Sequence, residues 1–355
     1  MLKTGKYQFV SFGGAIKHPN HQPQQTEQWG QDWIIWPVDG YGNQDMVRAM
    51  IHQQKPDILW FMTDPRFYEW LWAIENEIRV HVPMVYYHVW DNYPYPKFNR
   101  RFYLSNDHVA CISKVTHDIV ETVAPEVDSS YVPHAVDPDI FKPATAEEIQ
   151  AWRVSKDLDD KFVCFWNSRN ARRKQSGTLI WWFKEFLDNV GHDKACLIMH
   201  TDVKDQHGQD LEAIIHELGL INGEVLFSKD KVDAKDLAGM YNMADLTISV
   251  SDAEGFGLST LESLSCGTPI MVTMTGGLQD QVTDGDKFFG IGLQPASKAI
   301  IGSQQVPYIY EDRLNKDDFI NAITELYEMT PEARRELGIA GRSWAEDRFG
   351  FDKYI

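Results

Sequence analysis

Short apolar runs alternate with amphipathic stretches along most of the 355-residue chain. The pattern is clearest at 241–277, where the apolar run Leu246–Val250 predicts a buried strand. A polar, glycine-containing turn follows at Ser251–Gly257, and Leu258–Cys266 carries leucines at helical spacing. A glycine and a proline end that helix, and Ile270–Met274 predicts a second strand. We therefore expect one parallel strand–helix–strand unit in this region.

The same alternation predicts parallel α/β sheets in both halves of the chain. The length fits two domains, each large enough for its own core. We interpret the polar, proline-bearing stretch Pro138–Asp160 as the boundary between them, and Gln294–Pro307 as a polar surface insertion. The other predicted strands are Tyr7–Phe12, Trp33–Pro37, Pro56–Met62, Pro83–His88, Val109–Ile112, Phe162–Trp166, Ala195–His200 and Val225–Phe227, and the other predicted helices are Asp45–Gln53, Glu69–Glu77, Lys114–Val123, Thr178–Asn189, Leu211–Leu218, Ala234–Met243, Lys316–Tyr327 and Arg334–Asp347.

The chain is acidic, since 34 lysines and arginines stand against 52 aspartates and glutamates, a net charge of −18. This balance disfavours nucleic acid as a partner. The four cysteines are far apart, lie in or beside apolar runs and lack metal-ligand spacing, so we expect reduced core thiols. The sequence has no signal-peptide pattern and no apolar stretch of ~18 residues. We expect a cytoplasmic protein with no transmembrane segment and no metal or other cofactor.

The turn before the helix of the 241–277 region carries candidate binding groups. Backbone N–H groups near Gly257 and Leu258 form the positive end of that helix, which attracts phosphate or sugar oxygens. Gly255 lacks a Cβ atom, so a ligand can approach the backbone closely. Glu254 and Glu262 bracket the turn, and we expect each carboxylate to accept hydrogen bonds from hydroxyl groups of a sugar or a ribose. The alternative is a capping turn with two solvated glutamates.

A cationic run follows the predicted strand Phe162–Trp166. It contains Arg169, Arg172, Arg173 and Lys174, four cations within six residues of an acidic chain. A solvated surface run is the ordinary explanation. The run lies between a strand and a helix, however, which places it at the carboxyl edge of a parallel sheet, where such folds bind ligands.

These segments together resemble retaining GT-B glycosyltransferases of family 4. Glu254 and Glu262, with seven residues between them, precede Cys-Gly-Thr-Pro and a Gly-Gly turn, as in the donor-site signature of that family. The segment 131–143 also resembles the family, although His134 and Ala135 stand where the family has Asn and Gly. The resemblance implies an α/β protein of the GT-B class, with two Rossmann-like, doubly wound domains facing each other across a cleft. It implies an acceptor-side domain at 1–145, a nucleotide-sugar domain at 146–335, and a C-terminal helix at 336–355 that crosses back toward the first domain.

The resemblance also assigns roles to the cationic run and the turn. Arg169 and Lys174 best match the family's Arg and Lys that grip the donor diphosphate, although Ser168 and Gln175 replace family glycines. Arg172 or Arg173 is an alternative for either role. Fixed cations would then stabilise the charge on the leaving phosphate in place of a metal. Glu262 would hold the ribose hydroxyls, and the sugar would be held by Glu254 together with the backbone of Gly255, Phe256, Gly257 and Leu258.

Three further sites follow from the resemblance. Gly13 and Gly14 match a glycine loop near the donor phosphate, or they form a simple tight turn. His88, at the end of a strand, matches a histidine beside the transferred sugar, whereas a lone histidine is more often structural. Asp91 either orients His88 or caps a turn. Ser228 begins a loop that would lie against the nucleobase.

The implied activity is transfer of a sugar from a nucleotide-sugar donor to an acceptor hydroxyl, with retention and without a metal. A nucleotide-sugar epimerase on the same scaffold and a non-catalytic sugar- or nucleotide-binding module are the alternatives. The acceptor would be a glycan, a lipid-linked sugar or a small molecule, selected by the loops 13–32 and 91–101.

Overall fold

The computed structural model describes residues 1–14 and 20–354, so residues 15–19 of the predicted acceptor loop 13–32 lie outside the described part. The first half of the chain builds a parallel sheet with the strand order β4-β5-β6-β7 and a separate sheet with the order β1-β3-β2. Its elements are β1 (Phe9–Gly13), β2 (Gln24–Thr26), β3 (Gly30–Pro37), α1 (Gln44–Gln54), β4 (Leu59–Met62), α2 (Glu69–Trp72), α3 (Glu75–Ile78), β5 (Met84–His88), α4 (Arg100–Leu104), β6 (His108–Cys111), α5 (Lys114–Val123) and β7 (Ser129–Tyr131).

The core of the first half is rich in aromatic side chains. Trp72 stacks on Phe102 and meets Tyr86 edge to face, with ring centroids 4.8 and 5.2 Å apart. β5 is covered on both faces, which is why it reads as a continuous apolar run. Such a core gives the loops that follow β4 and β5 a rigid base.

The second half builds a parallel sheet with the order β10-β9-β8-β11-β12-β13. The order runs outward in one direction from β8 to β10 and in the other from β11 to β13, so the chain changes direction between β8 and β11. Loops that follow two such neighbouring strands enclose a crevice at the carboxyl edge of the sheet. The elements are α6 (Ala146–Val154), β8 (Phe162–Asn167), α7 (Ser176–Val190), β9 (Ala195–His200), α8 (Leu211–Glu217), β10 (Val225–Ser228), α9 (Ala234–Met243), β11 (Leu246–Ser249), α10 (Leu258–Ser265), β12 (Ile270–Thr273), α11 (Leu278–Val282), β13 (Ile291–Leu293), β14 (Ser297–Ile301), β15 (Ile309–Arg313), α12 (Lys316–Glu328) and α13 (Pro331–Phe349).

The two halves pack against each other beneath the cleft. A shared apolar cluster contains Tyr87 and Ile112 of the first half and Phe256 of the second. The carboxylate of Asp280 in α11 accepts a hydrogen bond of 2.9 Å from the backbone N–H of Lys114, at the start of α5. These contacts fix how the two sheet edges face each other.

The C-terminal helix α13 begins as its sequence predicts, with Thr330 as N-cap and Pro331 in the first turn. It packs mainly on α10, where Gly338 allows close approach because a Cβ atom there would lie 1.9 Å from the carbonyl oxygen of Gly267. Its last turn reaches the first half, where the Arg348 guanidinium lies 5.7 Å from the ring centre of Tyr131. Within the described residues, no helix has both the length and the apolarity needed to cross a membrane.

Two predictions about elements differ from the structure in detail. The predicted boundary stretch 138–160 also contains α6, which begins at a capping box formed by Thr145 and Glu148. The predicted helix Glu69–Glu77 is broken into α2 and α3. The stretch 294–307, predicted as a polar surface insertion, contains β14, which pairs with 309–313 as the antiparallel hairpin β14–β15 and extends toward the first half.

Candidate functional site

A cavity of about 840 Å³ lies in the cleft, a size suited to a small-molecule ligand. Both halves of the chain line it. The first half contributes the residues Thr63, Asp64, Arg66, Val89, Trp90, Asp91, Asn92, Ile112 and His134, and the second half contributes Asn167, Ser168, Arg172, Arg173, Lys174, Ala253, Glu254, Gly255, Phe256, Gly257, Leu258, Ser259, Glu262 and several residues of the β14–β15 hairpin.

The two loops that carry the predicted donor site meet at the switch point of the second sheet. One loop follows β8 and includes a short 3₁₀ turn at Arg172–Lys174, and the other follows β11. The N–H of Asp252 donates to the carbonyl of Arg173 over 2.8 Å, which joins the two loops. Gln175 stands at φ +55°, the left-handed region that favours glycine, and its side chain is held by Asp252 at 2.7 Å. At this position the family has a glycine, and here Gln175 adopts the left-handed conformation with its side chain hydrogen-bonded to Asp252.

Two cations and one carboxylate meet inside the cavity. The buried Lys174 ammonium donates directly to Glu254, and the Arg173 guanidinium lies 3.9 Å from the same carboxylate oxygen. Burial by itself raises the pKa of Glu254, but the charges of Lys174 and Arg173 outweigh burial and leave that pKa lowered. Glu254 is therefore ionised and pairs chiefly with Lys174. The Arg173 guanidinium has only a 3.9 Å contact with that carboxylate, so both cations can turn toward an anionic ligand.

The start of α10 supplies backbone donors beside these charges. Gly257 precedes the helix at φ +90°, and a Cβ atom there would lie 2.5 Å from the Leu278 side chain. The first N–H groups of α10, from Leu258 onward, have no partner within the helix and lie along the cavity lining. The Phe256 side chain instead packs into the apolar cluster, 5.3 Å from the His134 ring, so only its backbone can serve a ligand.

Glu262 lies one helical turn into α10 and is held by a polar chain that sequence reasoning missed. The Tyr241 hydroxyl donates to the Glu262 carboxylate over 2.7 Å and accepts from the Asn167 amide over 2.8 Å. Burial raises the pKa of Glu262 to about 7, although the hydrogen bond from Tyr241 works against the shift. No sequence signal distinguishes Tyr241 from an ordinary core tyrosine, because its role depends on α9 and α10 packing side by side.

Arg169, which the sequence assigned as a diphosphate ligand, is not among the residues that line the cavity. Its guanidinium instead forms two hydrogen bonds with Asp205, at 2.6 and 3.1 Å, and the side chain is 59% exposed. Arg169 points away from the cavity because its partner Asp205, 36 residues later in the chain, lies on the loop that follows β9. Arg173, which the sequence left as an alternative, occupies the inner position.

His88, which the resemblance places beside the transferred sugar, is likewise not among the residues that line the cavity. The ring is fully buried, with one nitrogen 3.0 Å from the Tyr86 hydroxyl and the other 2.8 Å from the Tyr103 hydroxyl. Burial lowers the pKa of His88 to about 3, so the ring is neutral. Its place is in the aromatic core, under the loop that carries Asp91.

Two other predicted positions lie outside the cavity lining. Gly13 ends β1, and a Cβ atom on Gly14 would lie 2.4 Å from the Gly40 carbonyl oxygen, so the backbone passes close to the segment 38–41 there. Ser228 ends β10, two strands from β8, and its hydroxyl is 2.9 Å from His200. Ser228 is at the predicted sheet edge, beyond the residues that line the cavity.

Asp91 is a cavity residue whose importance the sequence did not reveal. Burial raises its pKa to about 6; the Arg173 charge works against that shift and the Glu254 charge adds to it. Nearby, Gly255 approaches the first half so closely that a Cβ atom would lie 2.9 Å from the Val89 carbonyl oxygen. Asp91 of the first half thus places a titratable carboxyl beside Arg173, Lys174 and Glu254, the charged cluster of the second half.

The family model described as Glycosyl transferases group 1 matches residues 147–344. A D-inositol 3-phosphate glycosyltransferase of Arthrobacter sp. strain FB24 is 33% identical over 109 residues, which are 31% of this chain and 25% of that protein. The protein of the same name from Xylanimonas cellulosilytica is 28% identical over 183 residues, 50% of this chain and 42% of that protein. The matches therefore span less than half the length of these curated relatives.

Solved structures resemble the whole chain more broadly. Sucrose-phosphate synthase from Thermosynechococcus elongatus superposes with a TM-score of 0.76 at 16% identity, covering 99% of this chain and 87% of that one. Anabaena Alr3699/HepE, solved with UDP and glucose, gives 0.68 at 16% identity, with coverages of 92% and 84%. At this identity the likeness concerns the fold, and it confirms the predicted GT-B class.

Proposed function

The chain belongs to the glycosyl transferases group 1 family, and from that premise we propose that it moves a sugar from a nucleotide-diphosphate sugar to an acceptor hydroxyl, with retention and without a metal. The observation that carries the proposal is the convergence of Arg173, Lys174 and the start of α10 in one cavity of the cleft. Two cations and a row of backbone donors are the groups that a diphosphate requires.

The cations act on the leaving group. As the bond between the anomeric carbon and the phosphate oxygen breaks, negative charge grows on the departing diphosphate. Lys174 and Arg173 stabilise that charge, and they supply what a divalent cation would otherwise bring. The Glu254 carboxylate keeps Lys174 in position before the donor arrives, so little reorganisation is needed during the reaction.

The two glutamates hold the neutral parts of the donor. Glu254 is ionised and accepts hydrogen bonds from sugar hydroxyls, while the α10 backbone donates to sugar or phosphate oxygens. Glu262 accepts from the ribose hydroxyls, and Tyr241 holds the orientation of its carboxylate. Burial of both carboxylates strengthens these bonds, because water competes for them less.

Retention follows if the acceptor attacks on the face from which the diphosphate leaves. The acceptor oxygen then bonds to the anomeric carbon, the bond to the phosphate breaks, and the acceptor proton passes to the departing phosphate oxygen. No enzymic nucleophile is required. Glu254 is poorly suited to that role, because Lys174 and Arg173 reduce the basicity of its carboxylate.

The test is a transfer assay on the purified chain with EDTA present. UDP-glucose is the first donor, since UDP-glucose occupies a solved structure of similar fold, and GDP- and ADP-sugars follow. We expect nucleoside diphosphate release that depends on the acceptor, and a product whose anomeric proton coupling in NMR matches that of the donor. An inverted product would exclude retention, loss of transfer in EDTA would exclude metal independence, and conversion of the donor without acceptor would favour the epimerase. Binding without turnover across the donor and acceptor panel would identify a binding module.

A further inference from the structure

The hairpin β14–β15 belongs to the second half but leaves its sheet. The chain departs after β13, pairs Ser297 with Arg313 through Ile301 with Ile309, and returns at the start of α12. We refer to residues 297–313 as the cleft hairpin. It adds no strand to the parallel sheet, so its conformation serves something other than the core of the second half.

The base of the cleft hairpin is bound by hydrogen bonds and ion pairs to the loops that follow β8 and β11. Glu311 accepts two hydrogen bonds from Arg172, at 2.8 and 2.6 Å, and its side chain is almost fully buried. Arg313 lies 2.7 Å from the Asp252 carboxylate, and the N–H of Asp312 donates to the Asp252 carbonyl over 2.9 Å. Paired charges of this kind fix the hairpin relative to Arg173 and Lys174.

The same strand is joined to the first half. The N–H of Tyr310 donates to the Tyr93 carbonyl over 2.6 Å, and the Asn92 amide donates to the Tyr310 carbonyl over 2.5 Å. Val306 and Ile309 pack against the aromatic core of the first half. The cleft hairpin therefore spans the cleft and is held on both sides.

One face of the cleft hairpin lines the cavity. Ile301, Ser303, Val306 and Ile309 lie in the lining, together with Thr63, Asp64 and Arg66 of the first half. The adjacent Ile300 is outside the lining and is 65% exposed. Ser303 closes the tip by a turn, since its backbone N–H donates to the Val306 carbonyl over 2.8 Å. The hairpin thus gives the cavity an apolar wall that carries one hydroxyl, that of Ser303. This wall is separate from the charged cluster of Arg173, Lys174 and Glu254.

We propose that the cleft hairpin is the wall that selects the acceptor, a specificity element supplied by the donor half, and this inference rests on the proposed function. The donor occupies Arg173, Lys174 and the 254–262 segment, which leaves the hairpin face and the first-half loops for the acceptor. Ile301, Val306 and Ile309 contact the apolar face of the acceptor, and Ser303 contacts a hydroxyl.

The chemistry of this wall fits a sugar ring. A pyranose presents C–H groups on its faces and hydroxyls around its edge. Branched apolar side chains of the hairpin cover the C–H face. The hydroxyls donate hydrogen bonds to Ser303, Asp64 and Asp91. An acyclic polyol of similar size offers the hydroxyls without a rigid apolar face. The hairpin therefore favours a glycoside over such a polyol.

The experiment compares Ile301→Ala with Ile300→Ala, neighbours on opposite faces of one strand. Acceptor KM and kcat are measured at saturating donor with a panel of glycosides and acyclic polyols, UDP affinity is measured by calorimetry, and thermal unfolding checks the fold. We expect Ile301→Ala to raise the glycoside KM by about 10-fold, with kcat and UDP affinity nearly unchanged. Ile301→Ala should also reduce the preference for glycosides over polyols, Ile300→Ala should match the wild type, and Ser303→Ala should raise the KM of glycosides and polyols alike.

The outcomes separate this inference from the proposed function. If the wild type transfers sugar but Ile301→Ala and Ser303→Ala both keep the wild-type acceptor KM and preference, the hairpin is a structural tie and the inference is wrong. The Ser303 hydroxyl also accepts from the Val306 N–H at the hairpin tip, over 3.2 Å, so Ser303→Ala tests that turn as well as the acceptor contact. If Ile301→Ala unfolds, Ile301→Val, which shortens the same apolar side chain by one methylene, decides the matter through its glycoside KM. If the wild type transfers to no acceptor in the panel, the proposed function and this inference both fail.

Discussion

The two halves of the molecule build their shares of the cleft in different ways. The second half places Arg173, Lys174 and Glu254 on loops that follow adjacent strands of one sheet, so a single sheet edge assembles the charged cluster. The first half presents loops after β4 and β5 that rest on an aromatic core. The cleft hairpin, which belongs to the other half, completes that side.

The difference lies in what holds each site. The charged cluster is fixed by ion pairs and by hydrogen bonds between its two loops. On the first-half side, Thr63 has φ +145°, a conformation that L residues rarely adopt, and the Tyr86 hydroxyl donates to its carbonyl over 2.6 Å. Packing of the aromatic core holds the backbone at Thr63, and the cleft hairpin of the second half adds contacts to the first half through Val306 and Ile309. We infer that donor binding depends on a few charges, whereas acceptor binding depends on how the halves pack.

The largest effect is expected at a cation inside the cavity, Lys174, compared with a cation of the same loop outside the cavity, Arg169. Lys174→Ala should reduce kcat/KM by about 10²- to 10³-fold, since it removes a fixed charge that faces the leaving diphosphate in the proposed reaction. Arg169→Ala is the matched control, because its side chain pairs with Asp205 outside the cavity and its loss should leave transfer nearly unchanged. Steady-state kinetics with circular dichroism measures both. Equal losses in the two variants would contradict the division into inner and outer cations.

A smaller effect concerns Glu262, whose pKa burial raises to about 7. The carboxyl ionises as pH rises through that value, and an ionised acceptor binds ribose hydroxyls more strongly, so UDP affinity should increase from pH 6 to pH 8. Glu262→Gln should reduce this dependence and weaken UDP binding by about 10-fold at pH 8. Calorimetry measures UDP affinity, and a change in affinity from pH 6 to pH 8 that is as large in Glu262→Gln as in the wild type would contradict the assignment.

Tyr241→Phe sharpens the same measurement. The Tyr241 hydroxyl lowers the pKa of Glu262, so its removal should move the midpoint of UDP binding to higher pH. The raised pKa also affects the unliganded fold. Because the folded value of about 7 exceeds the ordinary 4.5, the contribution of Glu262 to stability is complete below pH 4.5 and is lost as pH rises through about 7.

The smallest expected effect tests the junction between the halves. Asp280→Ala should lower the free energy of unfolding by about 1–3 kcal/mol, because the N–H of Lys114 at the start of α5 loses its charged acceptor. Asp286→Ala, at an exposed position of the turn that follows α11, should change it by less than about 0.5 kcal/mol. Denaturant unfolding measures both. Equal stabilities would indicate that this hydrogen bond does not hold the halves together.

Much of the second half could be predicted from sequence, because its signals are local. A strand, a glycine turn and a helix within 246–265 place Glu254, Gly257 and Glu262 by backbone geometry alone. The first half gave weaker signals. The segment Glu69–Glu77 has a helical pattern, yet it forms two short helices with a break between them.

The alternation of strands and helices, the acidic balance and the spacing of Glu254 and Glu262 can be read along the chain, since each depends on near neighbours in sequence. Which side chains face the cavity depends on how the two sheets and their loops pack. Arg169 turns outward to Asp205, His88 is held between two tyrosines, and the cleft hairpin crosses to Asn92 and Tyr93. Each outcome depends on a partner distant in sequence or on another element of the fold. A side chain's direction depends on hydrogen bonds and ion pairs that exist only after the sheets have packed.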